Sequence, residues 1–312
     1  MKIVILDADT VGESPALDKI AALGEFVKYP RTAASETAGR IADADIAITN
    51  KVVIGAAEID AAPRLKLICV TATGVNNIDL EAASARGITV KNVADYSTES
   101  VTQTTFVHIF GLMCHGPYWD RFVKDGSWTA SGLFTDISHT WGQLAGRQIG
   151  IIGMGKIGSR VAQVAAAFGM KVAYFSTSGT GHCKEYPCLP LEELLAQSDI
   201  VSIHAPLNER TRGLIGAAEL RMMKPTAILV NVGRGGIVDE AALAAALDEG
   251  TIAGAGLDVF TREPLPAGHP LLTLRHSERL SLSPHVAWTS NEARETLMER
   301  TLANIKEFIC KQ

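Results

Sequence analysis

Short apolar runs alternate with Ala-rich helical stretches along this chain of 312 residues, and the alternation occurs twice. In the first set, Ile3–Leu6, Glu25–Tyr29, Ile46–Thr49, Leu67–Thr71 and Thr89–Asn92 read as strands. Ala16–Leu23, Ser35–Ala44 and Leu80–Arg86 read as the helices between them. Such alternation builds a parallel sheet with helices on both faces. A long helical pattern, Thr98–Cys114, comes next, followed by a more irregular aromatic-bearing stretch, Tyr118–Trp141. From Arg147 the alternation restarts, with strands expected at Ile149–Ile152, Val172–Phe175, Ile200–Ile203, Ala227–Asn231, Gly254–Val259 and Leu280–Leu282. Leu191–Gln197 and Glu240–Leu247 are among the helices that fill the gaps. The final helix, Asn291–Ile309, exceeds what the second set needs and is expected to cross back to the first.

The second set opens on the most informative motif. A strand, Gln148–Ile152, runs into Gly153-Met154-Gly155-Lys156-Ile157-Gly158, and an apolar helix, Ser159–Phe168, follows. This is the dinucleotide-binding fingerprint in its strand–turn–helix context. Gly153 allows the tight turn, Gly155 lets the backbone approach a pyrophosphate, and Gly158 lets the helix pack on the strand. The phosphates would sit on the helix N-terminus, where unpaired N–H groups and the dipole favour anions. The motif lies at mid-chain, so roughly half the protein precedes it and has another task.

Length and composition suggest two domains with sizeable cores, since 47% of residues are hydrophobic and 20% charged. No apolar run reaches the roughly 18 residues of a membrane span. Met1 leads straight into the first strand, so no signal peptide is expected. A net charge of −5 gives no electrostatic reason to expect nucleic acid. The five scattered cysteines (Cys69, Cys114, Cys183, Cys188 and Cys310) read as ordinary reduced thiols rather than a metal site. A soluble cytoplasmic protein is expected.

Three ionisable residues follow predicted strands of the second set: Arg234 in Asn231-Val232-Gly233-Arg234-Gly235, Glu263 in Asp258–Pro264, and His285 in Ser283-Pro284-His285. Ligands of open α/β sheets bind outside the carboxyl ends of the strands. Reducing a 2-oxo acid needs a hydride, a proton donor for the carbonyl oxygen and a cation for the carboxylate. Arginine offers a planar fork for the carboxylate, and histidine can give or take a proton near neutral pH. A neighbouring glutamate would favour the protonated ring and fix it. Taken singly, each is more often a solvated loop residue; their shared position is what singles them out. In the first set, Thr71–Asp79 ends an apolar strand. Gly74 would let backbone N–H groups cradle an anion, or the segment is a plain capped turn.

The chain resembles the D-isomer-specific 2-hydroxyacid dehydrogenases over essentially its whole length. The resemblance rests on Thr73–Asp79, Gly153–Gly158, His204-Ala205-Pro206-Leu207, Asn231–Gly235, Gly256–Phe260 with Glu263-Pro264, and Ser283-Pro284-His285. It implies an α/β protein of two doubly wound parallel-sheet domains, a Rossmann cofactor domain inserted into a flavodoxin-like substrate domain. The substrate domain would comprise residues 1–97 and 288–312. The NAD(P)-binding domain would comprise residues 98–287, with a helical dimerisation arm over about 98–144. Arg234 would bind carboxylate and carbonyl, His285 would be the acid/base and Glu263 its partner. The backbone of Thr73, Gly74 and Val75 would help hold the substrate carboxylate. Gly155, Lys156, Ile157, Ala205, Pro206, Thr211, Val232, Gly233, Arg234 and Asp258 would line the cofactor. The implied activity is hydride transfer between NAD(P)H and a small 2-oxo acid, with hydroxypyruvate or glyoxylate and D-glycerate as candidates. Within the family, Tyr96–Val101 and the Trp141-bearing arm look most like glycerate dehydrogenases (hydroxypyruvate reductases).

One departure concerns the cofactor. Where an acidic residue should end the strand Lys171–Phe175, Ser176 stands, followed by Thr177, Ser178 and Gly179. Nothing there repels a 2′-phosphate, and three hydroxyls could bond to it, although Lys184 is the nearest cation along the chain. Either NAD or NADP fits, with dual or NADP-leaning use as the hypothesis. A dinucleotide-sensing regulator on the same fold is the alternative, which the intact Arg234, Glu263 and His285 set disfavours. A formate-type enzyme would resemble one with neutral Gln in place of Glu263.

Overall fold

Consecutive parallel strands need crossovers, and here each crossover carries a helix or a long loop that covers one sheet face. The computed structural model describes residues 1–311. The chain divides into two units: Met1–Ser97 with the segment from Thr289 onward, and Thr98–Trp288.

In the first unit β1 (Lys2–Ile5), α1 (Pro15–Ala21), β2 (Glu25–Lys28), α2 (Ala34–Ile41), β3 (Ile46–Thr49), α3 (Ala56–Asp60), β4 (Leu67–Val70), α4 (Leu80–Ala85) and β5 (Thr89–Lys91) alternate. The sheet order is β2-β1-β3-β4-β5, all parallel. The order reverses between β1 and β3, which opens a crevice at their carboxyl ends. There the Asp7 carboxylate accepts the Asn50, Lys51 and Val52 N–H groups at 2.6–3.3 Å and fixes the loop after β3. β3 and β4 are buried throughout, as strands covered on both faces must be. Side chains cap the helices: Ser14 accepts the Ala16 N–H and Asp79 the Ala82 N–H.

The second unit begins with α5 (Thr98–Met113), α6 (Gly116–Lys124) and α7 (Ser127–Ser131). Then come β6 (Gln148–Ile152), α8 (Lys156–Ala167), β7 (Lys171–Phe175), α9 (Leu191–Gln197), β8 (Ile200–Ile203), α10 (Ala217–Met222), β9 (Ile228–Asn231), α11 (Glu240–Glu249), β10 (Gly254–Leu257) and β11 (Leu280–Leu282). The parallel order is β11-β10-β9-β8-β6-β7. Beyond β7 a parallel bridge pairs Tyr174 with Cys188, so the sheet's third sequential position is reduced to a single pair. α5 lies against β9, β10 and α8. It is buried although rich in threonine, because Thr102 and Thr105 donate their hydroxyls to the Thr98 and Val101 carbonyls, each at 2.8 Å. Near its start, Ser100 Oγ donates to Ala287 O at 2.6 Å, tying the unit's entry to its exit.

α12 (Asn291–Cys310) follows and packs in the first unit, with Met298, Leu302 and Ile305 buried among Ile3, Ile5, Ile46 and Leu67. The crossing back expected of the last helix is therefore what forms.

Three expectations change. The stretch 118–141 is not uniformly irregular: α6 and α7 occupy its first part. Its aromatic residues are weak helix formers, yet Tyr118 and Phe122, one turn apart, stack with ring centroids 5.6 Å apart. α8 starts at Lys156 rather than Ser159, because its first turn lies inside the glycine motif. β10 stops at Leu257, two residues short of expectation, where Asp258 turns inward. The short α3, unforeseen, is held by Glu58, whose carboxylate accepts the Gly55 N–H at 2.9 Å.

Candidate active site

The glycine turn is built as its residues require. Gly153 has φ +92°, a backbone state that side chains resist. A Cβ on Gly158 would stand 2.2 Å from Gly153 O, so only glycine lets α8 approach β6 this closely. Gly155 is different: nothing lies within 4 Å of where its Cβ would be, and as N-cap it offers no side-chain cap to the first helical N–H groups. The N-terminus of a helix capped this way favours an anion through its backbone N–H groups and dipole. Gly233 faces the same region from β9; its Cβ would meet Ala205 O at 3.1 Å. Ala205 and Val232 are buried, while Lys156 and Pro206 are exposed and Ile157 is half-buried. Thr211 is wholly buried; it donates to Pro206 O at 2.6 Å and shapes the loop after β8 from within.

Arg234 stands on a short turn after β9. Asn231 holds that turn at both ends, donating from Nδ2 to Arg234 O at 2.9 Å and accepting the Gly233 N–H at 3.1 Å. Arg234 is half-buried and donates from Nη1 to Gly233 O at 2.8 Å. Among the described residues no carboxylate pairs with it, so the rest of its fork is available to an acid from outside.

Glu263 and His285 meet. His285 Nδ1 and Glu263 Oε2 are 2.7 Å apart. A carboxylate accepts only, so Nδ1 carries the proton and Nε2 is the atom left for chemistry. Glu263 Oε1 accepts the Phe260 N–H at 2.9 Å, which holds the carboxylate in place. Glu240 steadies the same loop by accepting from the Thr261 N–H and hydroxyl at 2.6 and 2.8 Å. Gly235 packs so closely on Phe260 that a Cβ would sit 1.9 Å from the Phe260 carbonyl oxygen. The Arg234 turn therefore lies directly against the Glu263 loop.

His285 has φ +54°, a left-handed state that costs a non-glycine residue energy and must be held. Asp258 holds it. Its carbonyl accepts the His285 N–H at 2.8 Å, and its carboxylate accepts the Val286 and Ala287 N–H groups at 2.8 and 2.9 Å and Ser283 Oγ at 2.6 Å. Ser283, having donated to Asp258, accepts from His108 Nε2 at 3.1 Å, and His108 Nδ1 accepts from Ser281 Oγ at 2.8 Å. His108 is buried, and that burial lowers its pKa although Asp258 pulls the other way.

His204, just after β8, is partly exposed, but its Nδ1 is buried with no partner while Nε2 bonds Ser202 Oγ at 2.8 Å. Burial of the ring pushes its pKa down to about 3. Ser176 is buried at the end of β7, and its hydroxyl donates to Thr180 O at 2.6 Å. The hydroxyl is thus not a free donor, contrary to the sequence expectation. A cation distant in sequence does reach that loop: Arg210, from the loop after β8, donates to Ser178 O at 2.9 Å. In the first unit, Thr73, Gly74 and Val75 form the turn after β4. Thr73 O accepts Asn92 Nδ2 at 2.6 Å and Val75 O accepts the Ile78 N–H at 3.0 Å.

The supporting residues Asn231, Asp258, Ser283, His108 and Arg210 escape sequence reasoning to different degrees. Asn231 and Asp258 lie inside recognisable motifs, but their polar partners are set by the fold. His108 and Arg210 carry no local signal at all.

Residues 106–287 match the family model described as D-isomer specific 2-hydroxyacid dehydrogenase, NAD binding domain. The chain is 39% identical to the glycerate dehydrogenase of Methylorubrum extorquens over 291 residues, covering 91% of this chain and 89% of that protein. It is 33% identical to the hydroxypyruvate reductase of Blautia hydrogenotrophica over 315 residues, covering 99% and 97%. The crystal structure of the NADPH-dependent glyoxylate/hydroxypyruvate reductase of Sinorhizobium meliloti with NADP and malonate superimposes with a TM-score of 0.85, at 29% identity, covering 99% of this chain and 93% of that one. The chain belongs to the D-isomer-specific 2-hydroxyacid dehydrogenase family. It is an oxidoreductase that uses a nicotinamide dinucleotide.

Proposed function

We propose that this enzyme reduces small 2-oxo acids of the hydroxypyruvate and glyoxylate type to D-2-hydroxy acids. The observation that carries the reading is the His285–Glu263 pair at 2.7 Å, in the unit that holds the glycine turn. When bound, the dinucleotide supplies the hydride. Gly155 and the first N–H groups of α8 would hold its pyrophosphate, with Gly153, Lys156, Ile157, Gly158, Ala205, Pro206, Val232 and Gly233 shaping the groove. Thr211 and Asp258 would act from beneath, by fixing the loops. His285 Nε2 would give the proton to the substrate oxygen, and the Glu263 carboxylate would stabilise the charged ring before transfer. Arg234 would grip the substrate carboxylate and carbonyl, helped by the backbone of Thr73, Gly74 and Val75. A pure dinucleotide sensor has no use for an oriented acid/base pair, which favours catalysis.

The same reading makes residues 1–97 with 288–312 the substrate domain and residues 98–287 the cofactor domain. It makes the arm over about 98–144 a homodimer contact, supported by its exposed apolar side chains: Phe134 is 95% exposed and Ile137 79%. Five unpaired cysteines suit a cytoplasmic setting. On the cofactor, the lack of a carboxylate at Ser176 supports dual or NADPH-leaning use. A panel of glyoxylate, hydroxypyruvate, pyruvate and larger 2-oxo acids with NADH and NADPH tests the reading. Highest kcat/KM on the larger acids, or no turnover at all, would overturn it.

A further inference from the structure

We infer that Arg210 receives the adenosine 2′-phosphate of NADPH and is the residue that makes this enzyme favour NADPH. The inference rests on the NADPH-leaning reading above and supplies what that reading lacked, a cation.

A cavity of about 360 Å³ opens at the end of β7. Ser176, Thr177, Gly179 and Arg210 are among the residues that line it, and no carboxylate does. In a dinucleotide domain this strand end is where an acidic residue binds the adenosine ribose and repels a 2′-phosphate. Here the repulsive group is gone and an attractive one has entered from another loop. Arg210 lies 32 residues beyond Ser178 in sequence, yet its Nη1 donates to Ser178 O at 2.9 Å.

Two of the three hydroxyls at this loop are already engaged within it. Ser176 gives its one proton to Thr180 O at 2.6 Å, and Ser178 Oγ lies within hydrogen-bond distance of Ser176 Oγ and of the same carbonyl, at 3.0 and 3.3 Å. A phosphate oxygen accepts only, so it needs donors these serines have already committed. Arginine has five N–H groups, and the Ser178 contact engages one atom of the fork. No carboxylate neutralises Arg210 among the described residues. A guanidinium in that state matches a phosphate in charge and in planar geometry.

The side chain is also pre-positioned. The Arg210 N–H donates to Asn208 Oδ1 at 2.9 Å, and the next residue, buried Thr211, accepts the Asn208 N–H at 2.9 Å and donates to Pro206 O. This tight turn fixes where the arginine leaves the backbone, so less freedom is lost on binding.

The test uses the full-length enzyme and direct binding, by fluorescence titration of NADPH and NADH and by calorimetry with 2′,5′-ADP and 5′-AMP. The wild type should bind NADPH more tightly than NADH, and 2′,5′-ADP more tightly than 5′-AMP. Arg210→Ala should weaken NADPH and 2′,5′-ADP by about ten- to hundredfold, the usual worth of a charge-assisted contact, and leave NADH and 5′-AMP unchanged. Arg210→Lys should keep part of the preference. Equal loss for both members of each pair would make Arg210 a merely structural residue and overturn the inference. So would a wild-type NADPH preference that survives Arg210→Ala, which leaves the NADPH-leaning reading intact. A wild type that prefers NADH would bring down both.

Discussion

Glu263 grips two parts of its surroundings at once: Oε2 lies 2.7 Å from His285 Nδ1 while Oε1 accepts the Phe260 N–H. The ring is thereby held in one tautomer with Nε2 outward. His285→Ala should lower kcat by roughly two to four orders of magnitude, the usual contribution of an acid/base group. Glu263→Gln should lower it less, because an amide still positions the ring but does not stabilise its charge. Steady-state kinetics on hydroxypyruvate checks both; a wild-type kcat in His285→Ala would remove His285 from the proton transfer.

Arg234 sits half-buried on a turn clamped by Asn231, with no carboxylate paired to it among the described residues. Arg234→Lys should raise KM for the 2-oxo acid by about ten- to hundredfold, since an ammonium does not reproduce two parallel bonds. Dinucleotide affinity should fall less than affinity for the 2-oxo acid, because an ammonium keeps the positive charge beside the cofactor. Unchanged KM would argue that the fork does not hold the substrate.

The Asp258 carboxylate accepts two backbone N–H groups and the Ser283 hydroxyl. In Asp258→Asn one oxygen becomes an N–H₂ facing a donor, at a cost of about 1–3 kcal/mol. The left-handed His285 would lose part of its support. Both melting temperature and kcat should fall, with the KM for NADPH changing least; a stable variant with full activity would contradict this role.

His204 gives a pH prediction with a definite sign. Its folded pKa, about 3, lies below the ordinary 6.5, so the unfolded chain binds the extra proton. Stability from this residue is intact above pH 6.5 and is lost as pH falls below it. Between pH 7.5 and 5 the loss should be about 1–2 kcal/mol, after allowing for the ring's partial exposure. Urea melts of wild type and His204→Gln at both pH values measure the difference. An equal pH slope in the two proteins would show that His204 does not carry it.

Gly158→Ala places a methyl group 2.2 Å from a backbone oxygen of the glycine turn. Relief requires α8 to move off β6, at a cost of about 1–3 kcal/mol. Gly155→Ala, with open space around it, should fold normally and weaken only dinucleotide binding. Thermal melts with and without NADPH separate the two effects.

The strands were legible because parallel strands buried on both faces are apolar runs, as in Ile46–Thr49 and Leu67–Val70. The α6 helix was not, since its aromatic residues favour no helix until Tyr118 and Phe122 stack. Among site residues, Arg234, Glu263 and His285 stood out because chemistry limits which side chains can serve. Their supports did not. His108 reads as one more residue of an apolar helix, and only the fold brings it to Ser283, 175 positions away. Arg210 reads as a surface charge until the loop after β8 folds beside Ser178. Ser176 stands out in the sequence by its position at the end of a strand, but the direction of its hydroxyl is a matter of local geometry that no pattern encodes.

The bond from Ser100 Oγ to Ala287 O has a practical corollary. It makes the segment Thr98–Trp288 begin and end at the same spot, like a bead with both threads leaving through one hole. Such a piece can be lifted out of a gene and expressed by itself, or set into another host loop, without its ends having to be drawn together. The flanking halves, cut at Ser97 and Thr289, could be spliced by a short peptide and asked whether they still form a sheet of five strands.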